Sequence, residues 1–150
     1  RLDGFVSVLS KAAAAVDATT SETNFLNYTV PANTLAANGQ ALRATVEGVT
    51  AANANNKTIK VYFGGTQVGS TITIANSVVP WRLTVMVHRR GATSQVITWT
   101  FTYSASNGTM IDRGTRTKDL TAGQDLKVTG TSGTSTGDVS LDSALVELLP

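Results

Sequence analysis

Residues 81–88 and 95–103 alternate apolar and polar side chains on either side of a short turn, and this alternation constrains the fold more than any other feature of the chain. If the two segments fold back about residues 90–94, the numbers of opposite residues sum to 184. One face then pairs Val87 with Ile97, Val85 with Trp99, Leu83 with Phe101, and Trp81 with Tyr103. The other face pairs Met86, Thr84 and Arg82 with threonines. Because both faces agree in one register, we predict an antiparallel hairpin that buries Leu83, Val85, Trp99 and Phe101.

The rest of the chain repeats this strand pattern between turn residues. Val, Ile and Thr supply 45 of the 150 residues, and β-branched side chains favour strands over helices. Further strands are predicted at residues 5–16, 24–30, 41–47, 57–63, around Ile72 and Ile74, and at 109–117, 125–130 and 139–148. In the last segment the alternation changes phase, which predicts a bulge near Asp142 and Ser143.

Eight to nine short strands without a helix predict an all-β fold, a two-sheet antiparallel jelly-roll sandwich. Residues 24–150 form the jelly-roll domain in this prediction. Residues 1–23 form an N-terminal strand or arm that docks onto another molecule, since alternation is lost beyond Leu9.

Composition excludes several functional classes. The chain has no Cys and one His, which leaves no thiolate or multi-histidine metal site, and we expect no cofactor. The net charge is +2 and the 12 basic residues are scattered, so we expect no nucleic-acid partner. The sequence contains no run of 18 apolar residues and no secretory leader, so we expect no membrane partner.

Catalytic groups are few. His88 lies beside Arg89 and Arg90 without a serine elbow, so it is interpreted as a residue at the hairpin tip. Carboxylates for calcium binding or glycoside hydrolysis would come from Asp112, Asp119, Asp125, Asp138 and Asp142, but no motif fixes their spacing. The glycines at 64–65 and 130–137 are interpreted as turns, since no phosphate-loop motif follows them. We therefore predict that the chain is not an enzyme.

Two kinds of binding surface remain open. Trp81, at a strand start, and Tyr62, on the polar side of its strand, are candidate exposed aromatic contacts for a sugar or a partner. An interface between subunits is the other candidate, because charged residues are only 15% of the chain and one hairpin face is rich in threonine. The residues of that face are Thr84, Thr98, Thr100 and Thr102.

Three segments resemble a known family: YTVPANTL at 28–35, TAANANNKTIKVYFGGT at 50–66 and RRGATSQ at 89–95. They are similar to the jelly-roll domains of tailed-bacteriophage virion proteins, found in head decorations, head fibres, and tail fibres or spikes. The resemblance implies a non-enzymatic structural protein on the virion surface. It also implies a homotrimer, with a dimer as the alternative, bound to major capsid or tail proteins. A carbohydrate- or receptor-binding module of a tail fibre, recognising a host surface glycan, is the alternative function. Head and tail locations both stay open.

Overall fold

The computed structural model describes residues 6–12, 14–75, 79–104 and 108–150, and within these ranges every regular element is a β-strand. The strands are β1 (Ser7–Ala12), β2 (Val16–Asp17), β3 (Thr23–Val30), β4 (Ala41–Thr50), β5 (Lys57–Phe63), β6 (Thr66–Gln67), β7 (Ile72–Ile74), β8 (Pro80–Gly91), β9 (Ser94–Tyr103), β10 (Gly108–Arg116), β11 (Gln124–Thr131) and β12 (Val139–Leu149). The predicted all-β class is confirmed.

The strands form two antiparallel sheets that pack as a jelly-roll-like sandwich. The larger sheet has seven strands in the order β1-β12-β4-β8-β9-β10, and β2 also pairs with β12. The smaller sheet has five strands in the order β3-β11-β5-β6, and β7 also pairs with β5. The predicted two-sheet antiparallel sandwich is therefore confirmed. Its central strands come from distant parts of the chain.

The core lies between the sheets and is built from the inward side of each alternating strand. In β4 and β5 the apolar residues that alternate along each strand are buried: Leu42, Ala44, Val46, Ile59, Val61 and Phe63. Burial of such side chains contributes about 1.5–3 kcal/mol each relative to exposure, before conformational entropy is counted. The hydrophobic alternation thus decides which face of each strand packs inward.

The β8–β9 hairpin has the predicted register. Residue pairs whose numbers sum to 184 face each other from Trp81 and Tyr103 to Arg89 and Gln95. All four predicted core residues are buried. Near the turn, the register shifts so that Gly91 faces Ser94, which makes Arg90 the extra residue of a bulge.

A second bulge interrupts β12 where the change of phase predicted it. The β12–β4 register shifts between Leu141 and Ser143, and Asp142 is the extra residue. Asp142 and Ser143 are both exposed, while Leu141 and Ala144 on either side are buried. The bulge therefore keeps both halves of β12 in the core and turns one additional side chain outward.

The N-terminal segment differs from its prediction. Instead of one strand over residues 5–16, β1 and β2 form separately, and both pair with β12 in the larger sheet. Residues 5 and 13 lie outside the described residues. The described chain has twelve strands. Nine of them have six residues or more, and the other three, β2, β6 and β7, have two or three residues each. Docking of residues 1–23 onto another molecule stays a prediction.

Candidate functional site

A cleft of about 440 Å³ opens at the end of the larger sheet where β8 begins. Four neighbouring strands contribute to it, because Glu47 of β4 faces Arg82 of β8, which faces Thr102 of β9, while the β12 bulge supplies Asp142. On the same strands, Gly48 faces Trp81, which faces Tyr103, and these three residues also line the cleft. The remaining lining residues are Pro80 and Ser104. The cleft therefore combines two aromatic rings with charged groups of both signs.

Trp81 lines this cleft but is a core residue, with 3% of its surface exposed. The expectation of an exposed Trp81 is wrong, because its position is in phase with Leu83 and Val85 on the inward face of β8. The ring stacks between Phe25 of the other sheet at 5.9 Å and Phe101 at 6.0 Å between centroids. Trp81 is thus held rigidly from both sides.

The opposite residue, Gly48, makes room for this indole. A Cβ atom at residue 48 would lie 2.7 Å from Cζ2 of Trp81 and 1.9 Å from the carbonyl oxygen of Ser140. The Nε1–H group of Trp81 is buried and has no hydrogen-bond partner among the residues that the structure describes. Buried polar groups are paired in the large majority of cases, so this indole N–H is an exception in the core.

Charge in the cleft is arranged around one ion pair. Nε of Arg82 donates to Oε1 of Glu47, and both side chains keep solvent contact, at 62% and 36% exposure. Asp142 is exposed and makes no hydrogen bond or ion pair with the described residues. Since Glu47 is compensated by Arg82, Asp142 supplies the uncompensated carboxylate among the described residues of the cleft.

Tyr103 brings the second aromatic ring to the cleft. It is half-buried, and its ring packs 5.8 Å from that of Phe101. A Cβ atom at residue 108 would collide with the Tyr103 ring, so Gly108 allows β10 to pass close to it. The part of the ring that remains exposed supplies apolar surface at the cleft.

Tyr62, the other predicted aromatic contact, lies in the smaller sheet, so the structure does not bring it together with Trp81. Its hydroxyl donates to Oε1 of Glu22 at 2.6 Å, and Nζ of Lys127 lies 5.1 Å from its ring centroid. Burial, together with the hydrogen bond to Glu22, raises the pKa of Tyr62 to about 12. Hydrogen bonds from Thr129 and Tyr62 lower the pKa of Glu22. Both the hydroxyl and one ring face of Tyr62 are therefore engaged within the chain.

The four predicted interface threonines lie together on the outer face of the larger sheet. Thr84 faces Thr100, which in turn faces Ile111 of the edge strand β10. Ile111 is 72% exposed, so this row ends in a large apolar side chain in water. Thr102 belongs to both this face and the cleft. The interface role of the four threonines stays a prediction.

The predicted catalytic candidates are spread over the molecule. His88 lies at the far end of β8 from the cleft, while Asp112 accepts the backbone N–H of Ser70 and Asp125 accepts the hydroxyl of Thr29. Asp119 accepts bonds from Thr121. In the part of the chain that the structure describes, no three His, Cys, Asp or Glu residues are placed to hold a metal ion.

Asp138, another of these candidates, is part of a buried polar corner. Its carboxylate accepts the backbone N–H of Thr134 and the side-chain amide of Asn53, which together lower its pKa well below the usual range. Nearby Lys57 is fully buried, and its Nζ donates to the carbonyl oxygen of Asn53 at 2.6 Å. Burial lowers the pKa of Lys57 and the Asp138 carboxylate opposes that shift. The corner joins two loops and is structural.

Sequence reasoning missed Glu47, Arg82, Tyr103 and Asp142 as members of one site. Alternation placed Arg82 on the second face of the hairpin, and the bulge at Asp142 was visible in the phase change. Their proximity depends on the order β12-β4-β8-β9, in which β12 and β4 are about 100 residues apart. Alternation predicts on which side of the sheet a residue lies, but it does not predict which strand pairs with the strand of that residue.

Comparisons with known proteins give a limited result. No protein-family model matches the chain, and no curated protein matches it. One similar solved structure is the EclA C-terminal domain, described as a sugar-binding protein; the TM-score is 0.44 at 10% identity, covering 93% of this chain and 81% of that one. Another is the CBM2 module of the Lactobacillus casei BL23 phage J-1 evolved Dit; the TM-score is 0.46 at 10% identity, covering 82% of this chain and 68% of that one. No residue or role is transferred from either.

Among the residues that the structure describes, no helix has the length and apolar character needed to cross a membrane.

Proposed function

We propose that this chain is a non-enzymatic carbohydrate-binding β-sandwich module, and that the cleft at the start of β8 is its sugar site. The observation that carries the proposal is the composition of that cleft: the partly exposed ring of Tyr103 lies beside the side chains of Glu47, Arg82 and Asp142, and the buried ring of Trp81 also belongs to the lining. A sugar ring presents apolar C–H faces and a rim of hydroxyls. Aromatic surface together with a few fixed polar groups is complementary to both.

The polar groups suit vicinal hydroxyls. Carboxylate oxygens accept hydrogen bonds and the guanidinium donates them, so adjacent hydroxyls find both kinds of partner. The Arg82–Glu47 ion pair holds these groups in place before a ligand arrives. Preorganisation on strands rather than loops reduces the ordering cost of binding.

Two features support binding rather than catalysis. A glycosidase needs one carboxyl that stays protonated, which requires a desolvated environment. Glu47 is solvent-exposed and already acts as the anion of an ion pair, and Asp142 is exposed. Both carboxylates are therefore within reach of a ligand in the cleft and can accept hydrogen bonds from its hydroxyls.

A glycan array followed by calorimetry with the strongest neutral oligosaccharide tests the proposal. Asp142→Asn should weaken binding by about tenfold or more, since a charge-assisted hydrogen bond is replaced by a neutral one. The matched control is Asp125→Asn, an exposed carboxylate in the smaller sheet. An array without binding, or equal losses in the two variants, would contradict the proposal.

A separate observation favours a second function, that of an oligomeric structural protein on a bacteriophage virion. Both edges of the larger sheet carry exposed apolar residues, with Val8 of β1 at 60% and Ile111 of β10 at 72% exposure. Exposed edges with apolar side chains are typical contact sites between chains. Combined with the sequence resemblance, this supports a homotrimer, with a dimer as the alternative, attached to major capsid or tail proteins. The two proposed functions are compatible, because a subunit of a virion fibre can also bind a sugar.

Light scattering tests assembly directly. At micromolar concentration we expect a mass about three times the 15.6 kDa of the chain, and Ile111→Asn should shift the population toward monomer. Thr109→Asn, an exposed change on the same strand, is the control. A wild-type monomer throughout this range contradicts this second function and leaves the sugar site standing.

A further inference from the structure

The opposite end of β8 carries a second cleft, of about 360 Å³, whose chemistry differs from that of the sugar site. It is lined by Asn38, Gly39, His88, Arg89 and Arg90. His88 lies six residue steps along the extended strand from Arg82, a span of roughly 20 Å. The two clefts are therefore independent.

The cleft is basic, and its charge is not compensated. The guanidinium of Arg89 donates to Oδ1 of Asn38 and to the carbonyl oxygen of Leu35, which are both neutral acceptors. Arg90 and His88 form no ion pair or side-chain hydrogen bond with the described residues. Asp119 belongs to the loop that reaches this hairpin turn through the Leu120–Ala92 backbone bond, but its carboxylate is engaged by Thr121.

The backbone keeps these groups in fixed positions. Gly39 adopts a φ of 95°, which glycine tolerates and which allows its N–H to bond the carbonyl of Arg89 at 3.1 Å. The N–H of Arg89 bonds the carbonyl of Gln40 at 3.0 Å. Arg90 is the extra residue of the β8 bulge, a device that redirects side chains next to binding sites.

We propose that this cleft binds a phosphate group. Two guanidinium groups, an imidazole and a side-chain amide surround a space large enough for a tetrahedral oxyanion, and Arg pairs with such groups through several N–H donors. A phosphate is favoured over a carboxylate because its higher charge and additional oxygens engage more of these donors at once. A neutral sugar has no negative charge to pair with the two guanidinium groups, so this site differs in specificity from the sugar site.

Titration with inorganic phosphate at low ionic strength, followed by NMR of the amide groups, tests this site. We expect saturable shifts at Gly39 and Arg90, and binding about tenfold weaker in Arg90→Gln and in His88→Gln. Arg113→Gln removes the same charge from an exposed position on β10 and should bind as wild type.

Three results would overturn the phosphate site. One is the absence of saturable shifts. Another is an equal loss in Arg113→Gln, which would indicate attraction to net charge alone. The third is equal affinity for acetate at matched ionic strength, which would remove the preference for phosphate. None of these results bears on glycan binding at the other end of β8.

Discussion

Replacing Trp99 with Ala removes a large buried side chain that joins the two sheets. Trp99 belongs to the larger sheet and is 1% exposed, and its Nε1 donates to the carbonyl oxygen of Val68, in the segment between β6 and β7, at 3.0 Å. A buried aromatic side chain covers roughly 150–250 Å², which corresponds to about 4–6 kcal/mol as an upper bound. Measured truncations of this size cost about 3–5 kcal/mol, so we expect a loss of about 4 kcal/mol in the free energy of unfolding.

Trp99→Phe separates packing from hydrogen bonding. It keeps an aromatic ring but leaves the carbonyl of Val68 without its donor, so the expected loss is about 1–2 kcal/mol. Urea unfolding followed by far-UV circular dichroism measures both variants, with fluorescence of the remaining Trp81 as a second probe. A loss below about 1 kcal/mol for Trp99→Ala, or equal losses in the two variants, would refute this reasoning.

Three further predictions concern stability. Asp138→Asn should lower the melting temperature by several degrees. In the wild type the lowered pKa of Asp138 contributes stability at every pH above about 4, the pKa of an unfolded Asp, and this stability is lost as the pH falls below that value. The Asn variant has no such carboxylate, so its stability should fall less steeply with acid. Thermal melts from pH 7 to pH 2 measure the difference. Tyr62 has a raised pKa, so its contribution is complete below about 10 and is lost as the pH rises toward about 12; Tyr62→Phe should flatten stability over that range in urea titrations. Gly48→Val should destabilise the fold, because its Cβ would overlap the Ser140 carbonyl, and a melting temperature equal to that of wild type would contradict the close approach.

The hairpin was predictable because its information is local. Residues 81–103 contain both strands, the turn and two faces of alternating character, so one register satisfies burial on each side. The phase change in residues 139–148 was equally local, and the predicted bulge at Asp142 follows from it. Both features need only the period of two along a strand.

Strand order was not predictable in the same way. The pairing of β4 with β12 joins residues about 100 positions apart, and the apolar pattern of each strand is compatible with many neighbours. The cleft depends on this order, since Glu47, Arg82 and Asp142 meet only when β12, β4 and β8 are adjacent. Its residue types were visible in the sequence, but their convergence was not.

Two buried residues, Trp81 and Lys57, follow the alternation of their strands although their burial was not predicted. Trp81 continues the inward series of Leu83 and Val85, yet its position after Pro80 at a strand start suggested exposure. Lys57 is in phase with Ile59 and Val61, and it is fully buried although it is charged. Its Nζ donates to the carbonyl oxygen of Asn53, four residues earlier, whereas the carboxylate that opposes the effect of burial belongs to the distant Asp138, which no local pattern reports.

The measurement that tests the central claim most directly is an NMR titration that follows the two indole Nε1–H signals during addition of the glycan selected on the array. Trp81 lines the cleft, and its buried indole N–H has no partner among the described residues, whereas that of Trp99 is bonded to the carbonyl oxygen of Val68 in the core. Sugar binding in the cleft predicts a saturable shift of the Trp81 signal with the Trp99 signal unchanged. A glycan that saturates the protein without moving the Trp81 signal would contradict the assignment of this cleft as the sugar site.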